Sequence, residues 1–227
     1  MRQEAKRRTV ELIGEDAMRT LENSKVIVFG IGGVGGYTVE ALARSAVGLI
    51  ALVDGDVISE SNINRQIIAD TETIGRSKVE VMQERINKIN PQCKVEIYEQ
   101  YYGVDEFFID FSQYDYVVDA VDMVSAKLKI IEESQRAGVS VISSMGTGNK
   151  VSAEHFTICD IKDTAVCPLA RVMRRELRNR GIEGVKVVYS PEKPVKTTAD
   201  HPASIAFVPP VAGLLMAGEI VRDLIGE

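Results

Sequence analysis

The sequence predicts an α/β protein with a doubly wound, mostly parallel sheet, and three observations carry that expectation. Short apolar, β-branched runs alternate with helical patterns from residue 25 to about residue 143, without an internal repeat. The first run, Lys25–Phe29, leads at once into Gly30-x-Gly32-x-x-Gly35 and a helical pattern through Val39, Leu42, Ala43 and Ala46. The next run, Leu49–Val53, ends on Asp54. Strand, glycine turn, helix, strand, acid is the order of a nucleotide-binding βαβ unit.

The other elements follow in chain order. Residues 3–22 read as two short helices broken near Gly14, an N-terminal brace. Gly75–Asn90 is predicted helical, with Val79, Met82, Ile86 and Ile89 at helical spacing and Pro91 as its stop. Lys94–Tyr98 alternates as a strand does, and Val104–Phe111 reads as a short helix or turn. Tyr116–Asp119 is a buried strand, Ser125–Ala137 a helix closed by Gly138, and Val139–Ser143 a strand running into Met145-Gly-Thr-Gly148. Asp54, Asp119 and Asp122 are then all expected at strand C-termini, on the rim where such sheets bind ligands.

Beyond residue 150 the pattern changes. His155–Asp160 and Lys186–Ser190 read as strands flanking a basic helix, antiparallel additions to a Rossmann-like sheet. Residues 191–203 hold three prolines and few apolar groups, and read as a mobile loop or flap. Ser204–Val208 is expected to be a short strand, and Pro209 to Leu224 a core helix with prolines in its first turn. The expected organisation is one domain: a brace over 1–24, a nucleotide-binding core over 25–150 and a substrate-side extension over 151–227.

Composition narrows the class. At 227 residues, 45% hydrophobic and 26% charged, the chain suits one substantial core. The net charge of −6 advertises no global affinity for nucleic acid. Three cysteines with no C-x-x-C pair argue against a disulfide framework and against structural zinc. Cys93, Cys159 and Cys167 are read as packing residues. The N-terminal stretch has no apolar run of the signal-peptide kind, so a cytoplasmic location is expected. The most apolar stretch, Ser204–Ile225, is broken by Pro209, Pro210, Glu219, Arg222 and Asp223 and falls short of the ~20 residues a bilayer needs.

The text after Asp54 carries the chemistry. Gly30, Gly32, Gly33 and Gly35 let the backbone approach phosphate, and the helix after them offers unpaired N–H groups to an anion. Asp54 stands where a ribose hydroxyl is hydrogen-bonded. That much suits a dinucleotide. Asp54-Gly-Asp-Val-Ile-Ser-Glu-Ser-Asn-Ile-Asn-Arg-Gln66 is, however, dense in anion and hydrogen-bond partners: Asn62, Asn64, Arg65 and Gln66. Lys78 follows on the next helix. Two cations, a guanidinium fork and a compact ammonium, suit a triphosphate better than the pyrophosphate of NAD. Asp122 at a strand end suits Mg²⁺, which takes a carboxylate together with phosphates.

These motifs, with the Asp119-Ala-Val-Asp122 strand end, resemble the ThiF/MoeB/HesA superfamily, the bacterial relatives of ubiquitin-activating enzymes, over roughly residues 8–150. The resemblance implies a homodimer that adenylates a carboxylate with ATP and Mg²⁺. Asp54 would bind ribose; Asn62, Arg65, Gln66 and Lys78 would handle phosphates and the transition state; Asp122 would organise Mg²⁺. Arg8 matches an arginine that reaches the partner subunit's ATP. The chain departs from the sulfur-carrier-activating members, which usually carry two zinc-binding C-x-x-C pairs. Its C-terminal third, through Pro168–Leu177, Val187–Glu192 and Ser204–Pro210, instead resembles the TcdA/CsdL branch, tRNA threonylcarbamoyladenosine dehydratases. The implied reaction activates the threonyl carboxylate as an acyl-adenylate, which the substrate's own ureido group attacks. No cysteine is needed. Adenylation of a ubiquitin-like sulfur carrier is the alternative, and the resemblance leaves open a sulfur-transfer protein partner.

The basic helix supports a polyanionic substrate independently. Arg171, Arg174, Arg175 and Arg178 recur at i, i+3, i+4 and i+7 on one face. Residues 162–196 hold nine basic against four acidic residues in an otherwise acidic chain. This localised positive field suits tRNA phosphates.

Overall fold

The computed structural model describes residues 1–105, 107–199 and 201–227. Seven strands form one sheet: β1 Lys25–Phe29, β2 Leu49–Val53, β3 Lys94–Tyr98, β4 Tyr116–Asp119, β5 Ser140–Ser144, β6 Thr157–Asp160 and β7 Lys186–Tyr189. Their spatial order is β3-β2-β1-β4-β5-β7-β6. The sheet reverses direction of growth between β1 and β4, the switch point where doubly wound sheets open a crevice. Every pairing is parallel except β6 with β7. The expected antiparallel extension is therefore one strand, since β7 runs parallel to β5.

Among the described residues six α-helices pack around the sheet: α1 Gln3–Asn23, α2 Gly35–Arg44, α3 Lys78–Ile89, α4 Val124–Ala137, α5 Pro168–Asn179 and α6 Val208–Ile225. Strand side chains alternate between the two faces. Val26 and Val28 of β1 pack among α2, α3 and α6, in the cluster that holds Val39, Met82 and Met216. Ile27 and Phe29 face the other way, toward Tyr102, Phe111 and Ile130. With both faces covered, the strands read as continuous apolar runs, which is why they were visible in the sequence. Arg85 and Arg44 both reach the Glu40 carboxylate, at 2.6 and 2.7 Å, which ties α2 to α3. Although burial pushes the Glu40 carboxyl up, the two arginines hold it below its ordinary value.

The structure revises several expectations. The break near Gly14 stands as expected, since its φ 83° and ψ 165° divide α1 into two helical stretches, and the changes come after it. The Gly75–Asn90 helix begins only at Lys78, because residues 71–76 form turns closed by Gly75 N–H on Ile58 O at 2.8 Å. In the Val104–Phe111 segment, residue 106 lies outside the described residues; the rest holds no helix until a 3₁₀ turn at Phe111–Gln113. Residues 155–156 precede β6, and residue 155 closes a 3₁₀ turn. Ser204–Val208 is not a strand. The Asn64 side chain takes the Ser204 carbonyl, Asn149 holds the preceding Ala203, and the helix starts at Val208 with Pro209 and Pro210 in its first turn. Of the expected 191–203 flap, residue 200 lies outside the described residues and the rest carries no helix or strand.

Asp119 is the main correction on the rim. As the last residue of β4 it shares the face of Val117 and turns inward, where Lys127 of α4 meets it at 3.0 Å. Ser143 donates to the same carboxylate at 2.5 Å, and neither Asp119 nor Lys127 has solvent exposure. The group is a paired core carboxylate and plays no part in the rim.

Candidate active site

The glycine turn is dictated by contact. Gly30 has φ +87°, and a Cβ there would stand 2.6 Å from the Ala120 carbonyl oxygen. A Cβ on Gly35 would overlap the Gly30 oxygen itself, so α2 starts hard against the end of β1. Gly32 and Gly33 sit at the mouth, and both line a cavity of about 740 Å³ at the C-terminal ends of β1, β2 and β4. Asp54, Asn62, Arg65, Gln66, Lys78 and Asp122 line the same cavity. Six residues from three separate segments thus converge as the sequence motifs required.

Asp54 is fixed by the main chain: its two carboxylate oxygens accept N–H groups of Ile31 at 2.6 Å and Asp56 at 2.9 Å. Burial pushes its carboxyl above the ordinary value despite Lys78 at 3.9 Å. Lys78 opens α3, and its ammonium donates to Asp56 at 2.5 Å. Tyr101 Oη donates to the other Asp56 oxygen at 2.7 Å. Burial raises the Asp56 carboxyl, and the hydrogen bonds from Lys78 and Tyr101 outweigh it, so the net shift is downward. Asp56 and Tyr101 both line the cavity and were not singled out from the sequence. The i, i+2 spacing of Asp54 and Asp56 was the available signal, two carboxylates leaving one strand end together.

Asn62 shapes the loop. Its side chain accepts the Ser59 N–H at 3.1 Å, and its carbonyl receives the N–H groups of Arg65 and Gln66. Gln66 is 7% exposed, and its Oε1 is buried without a hydrogen-bond partner. A buried amide oxygen left unpaired is costly, which marks the place for a polar ligand. Arg65 makes no ion pair among the described residues; its Nη1 rests on Ser61 O and Asn64 Oδ1 at 3.0 and 2.7 Å. Asp122 is exposed on the loop after β4, with no ion pair among the described residues. No cluster of three or more metal-ligating side chains occurs among the described residues, and a lone free carboxylate fits an ion held mainly by phosphates and water.

Three other expectations have distinct placements. Arg8 is exposed on α1 and does not line its own chain's cavity among the described residues. Cys93 and Cys159 lie away from the cavity; burial pushes the Cys93 thiol up to about 11 and raises Cys159 as well. Cys167, 1% exposed, packs against Met173 and Leu177 but also lines the cavity. The arginine stripe splits. Arg174 is held by Thr164 O at 2.6 Å, and Arg175 pairs with Glu176 at 3.0 Å. Arg171 and Arg178 are exposed and make no ion pair among the described residues. The N-terminal end of α5, at Pro168 and Leu169, lines the cavity, and Arg178 lies about 15 Å further along the helix axis.

A doubly wound sheet with a glycine cradle at its switch point, an acid at the end of the second strand and two cations beside it defines a nucleotide-binding α/β protein. The chain belongs to the ThiF family, whose model matches residues 5–227. It is 42% identical to the tRNA threonylcarbamoyladenosine dehydratase of Bacillus subtilis over 95% of this chain and 92% of that protein. The crystal structure of Escherichia coli tRNA N6-threonylcarbamoyladenosine dehydratase, TcdA, in complex with ATP superposes with a TM-score of 0.90 at 30% identity, covering 99% of this chain and 95% of that one. The adenylyltransferase and sulfurtransferase UBA4 of Vanderwaltozyma polyspora is 33% identical over 69% of this chain, but only 35% of its own length is matched.

Proposed function

We propose that the chain is an ATP-dependent tRNA threonylcarbamoyladenosine dehydratase, which adenylates the threonyl carboxylate so that it cyclises. The observation that carries the reading is the convergence of Arg65, Lys78 and the unpaired Gln66 on the glycine cradle, in a chain similar along nearly its whole length to named dehydratases. A carboxylate is a poor electrophile until its oxygen is joined to a good leaving group, and AMP is one. Asp54 orients the ribose and Gly30–Gly35 admit the phosphates. Arg65 and Lys78 stabilise charge developing on the transferred phosphoryl group and on departing pyrophosphate. Asp122 is the residue that would hold Mg²⁺, and the ion would supply further charge neutralisation on the phosphates. The ureido nucleophile belongs to the substrate itself, so the ring closure depends on orientation. Cys93, Cys159 and Cys167 act as packing residues in this scheme.

The stripe on α5 positions tRNA phosphates, with Arg171 and Arg178 as the arginines that have no ion pair among the described residues. The protein works as a homodimer in which Arg8 crosses to the partner's ATP, in the cytoplasm. A sulfur-transfer protein partner fits the same family but has no support from a particular residue. Adenylation of a sulfur-carrier protein is disfavoured, because its named relatives share only part of this chain. Mass spectrometry of threonylcarbamoyl-modified tRNA incubated with the protein and ATP tests the reading. Loss of one water from the modified nucleoside, dependent on ATP, is expected; unchanged mass with pyrophosphate released only on addition of a carrier protein would reverse it.

A further inference from the structure

One wall of the cavity is a strap, residues 190–196 and 201–204, that no strand or helix supports. Pro194, Pro202, Ala203 and Ser204 of this strap line the cavity. It is tied along its length. Val195 N–H donates to Asn149 O, Asn149 N–H to Ala203 O and Ala203 N–H to Asn149 Oδ1, each at 2.7 Å. Asn149 holds this geometry with φ 57°, left-handed for a residue with a side chain. Glu192 adds a second tie, its carboxylate accepting the N–H groups of Val151 and Ser152 at 3.0 and 3.1 Å. Lys150 closes it from the other side, donating to Glu192 O at 2.6 Å and Ser190 O at 3.3 Å.

The far end of the strap is tied to the phosphate loop. Asn64 Nδ2 donates to Ser204 O at 3.1 Å, while Asn64 Oδ1 accepts from Arg65 Nη1 at 2.7 Å. Chemistry fixes the orientation of this amide, since a guanidinium only donates and a carbonyl only accepts. Arg65 Nη1 also donates to Ser61 O at 3.0 Å, so both of its hydrogens are used. The Nε–H and the Nη2 group have no partner among the described residues and are free for a phosphate. A phosphate on those donors holds the guanidinium without breaking the bond to Asn64.

We propose that Asn64 is a positioning residue that couples the two sides of the cavity: a phosphate gripped by Arg65 steadies Asn64, and Asn64 steadies the strap that walls the substrate side. The coupling rests on the nucleotide reading above and adds to it a link between nucleotide binding and the firmness of the substrate wall.

Trypsin reads the strap directly. Lys196 is exposed and followed by Thr197, whereas Lys193 precedes Pro194 and resists cleavage. Release of the 197–227 fragment is followed by mass spectrometry with and without ATP, in the absence of tRNA. In the wild type, saturating ATP slows this cut about fivefold, the equilibrium factor of one hydrogen bond. In Asn64→Ala the protection disappears. Coupling is reciprocal, so Asn149→Ala, which loosens the strap, weakens ATP binding by a similar factor in calorimetry. Circular dichroism checks that both variants are folded, and if Asn64→Ala is not, the Asn149→Ala affinity decides. Protection retained in Asn64→Ala, or ATP affinity unchanged in Asn149→Ala, overturns the coupling. ATP binding heat without protection in the wild type overturns the coupling alone; no binding heat overturns the nucleotide reading and the coupling with it.

Discussion

Lys78 is 5% exposed, and its ammonium stands 2.5 Å from Asp56 and 3.9 Å from Asp54. Arg65, by contrast, touches only neutral oxygens. The two cations therefore separate in their structural consequences. Each alanine variant loses a preorganised charge stabiliser and raises the reaction barrier by about 2.7–4 kcal/mol. Arg65→Ala leaves the melting temperature in place. Lys78→Ala leaves the little-exposed Asp54 and the half-exposed Asp56 without their cation and costs about 1 kcal/mol of stability, with about 2–4 °C of melting temperature for each kcal/mol. Single-turnover kinetics and calorimetric melts on both variants check this; near-normal turnover in both would mean that the site is elsewhere. Asp56 shows where reading residues one at a time falls short. Asp54 was recognisable from its distance to the glycines, but the value of Asp56 depends on Tyr101, 45 positions away, arriving at its carboxylate. Asp119 failed for the opposite reason: a strand-end acid looks alike in sequence whether it turns to the rim or to a buried lysine.

Among the elements, α5 carries the clearest test. Arg174 is held by Thr164 and Arg175 pairs with Glu176 at the surface, so Arg171 and Arg178 are the members without an ion pair or side-chain hydrogen bond among the described residues. Arg171→Ala with Arg178→Ala flattens the slope of log tRNA affinity against log salt by about 1.4–1.8, counting 0.7–0.9 per phosphate contact. ATP affinity stays the same, and an unchanged slope would reduce the stripe to a solvated face. A second test concerns the join of β7 to α6. Lys186 reaches Glu219 at 2.7 Å and Asp223 at 2.6 Å, and Tyr116 donates to Asp223 at 2.6 Å. The hydrogen bond from Lys186 holds the Glu219 carboxyl below its ordinary value. A lowered carboxylate stabilises the fold above the unfolded pKa, about 4.3 for glutamate, and loses that contribution as pH falls through the folded value. Lys186→Met protein then melts below wild type at pH 7, and the gap narrows toward pH 3; an equal gap at both would remove the ion pair as the cause. The periodic elements were legible because both faces of a parallel sheet are apolar. Ser204–Val208 was not, since its apolar, β-branched character matched a strand while the side chains that hold it and the preceding Ala203, Asn64 on Ser204 and Asn149 on Ala203, lie 140 and 54 residues away.

At the scale of the whole molecule, the Arg8 side chain makes no hydrogen bond or ion pair among the described residues. It is exposed on α1, outside the cavity. The homodimer reading assigns it to the other subunit's nucleotide, which gives a mixing experiment. Arg8→Ala protein is inactive alone, and so is Lys78→Ala protein. Together they recover part of the activity, because one of the two sites in a hybrid dimer keeps both residues. No recovery despite proven subunit exchange would place Arg8 in its own subunit's service or in none. One sheet runs without interruption from β3 to β6, so the nucleotide end and the basic helix belong to a single rigid frame. That continuity was only half visible in the sequence: the alternation predicted the parallel core, whereas the place of β7 beside β5 follows from the long return through α5 and has no local signature.

The glycine turn has a consequence for how damaged alleles are to be interpreted. At Gly30 and Gly35 a methyl group meets main-chain carbonyls that cannot retreat, so a mutant there is lost to misfolding before its chemistry can be assayed. Gly32 differs: the nearest atom to an added Cβ is Gln66 Nε2 at 3.8 Å, an ordinary contact with a side chain. Within one short motif, two positions report on architecture and one on the ligand. Gly32→Ala is therefore the allele expected to accumulate at wild-type levels, and a collection of loss-of-function strains sorted by protein abundance would separate the two kinds of lesion without a single kinetic measurement.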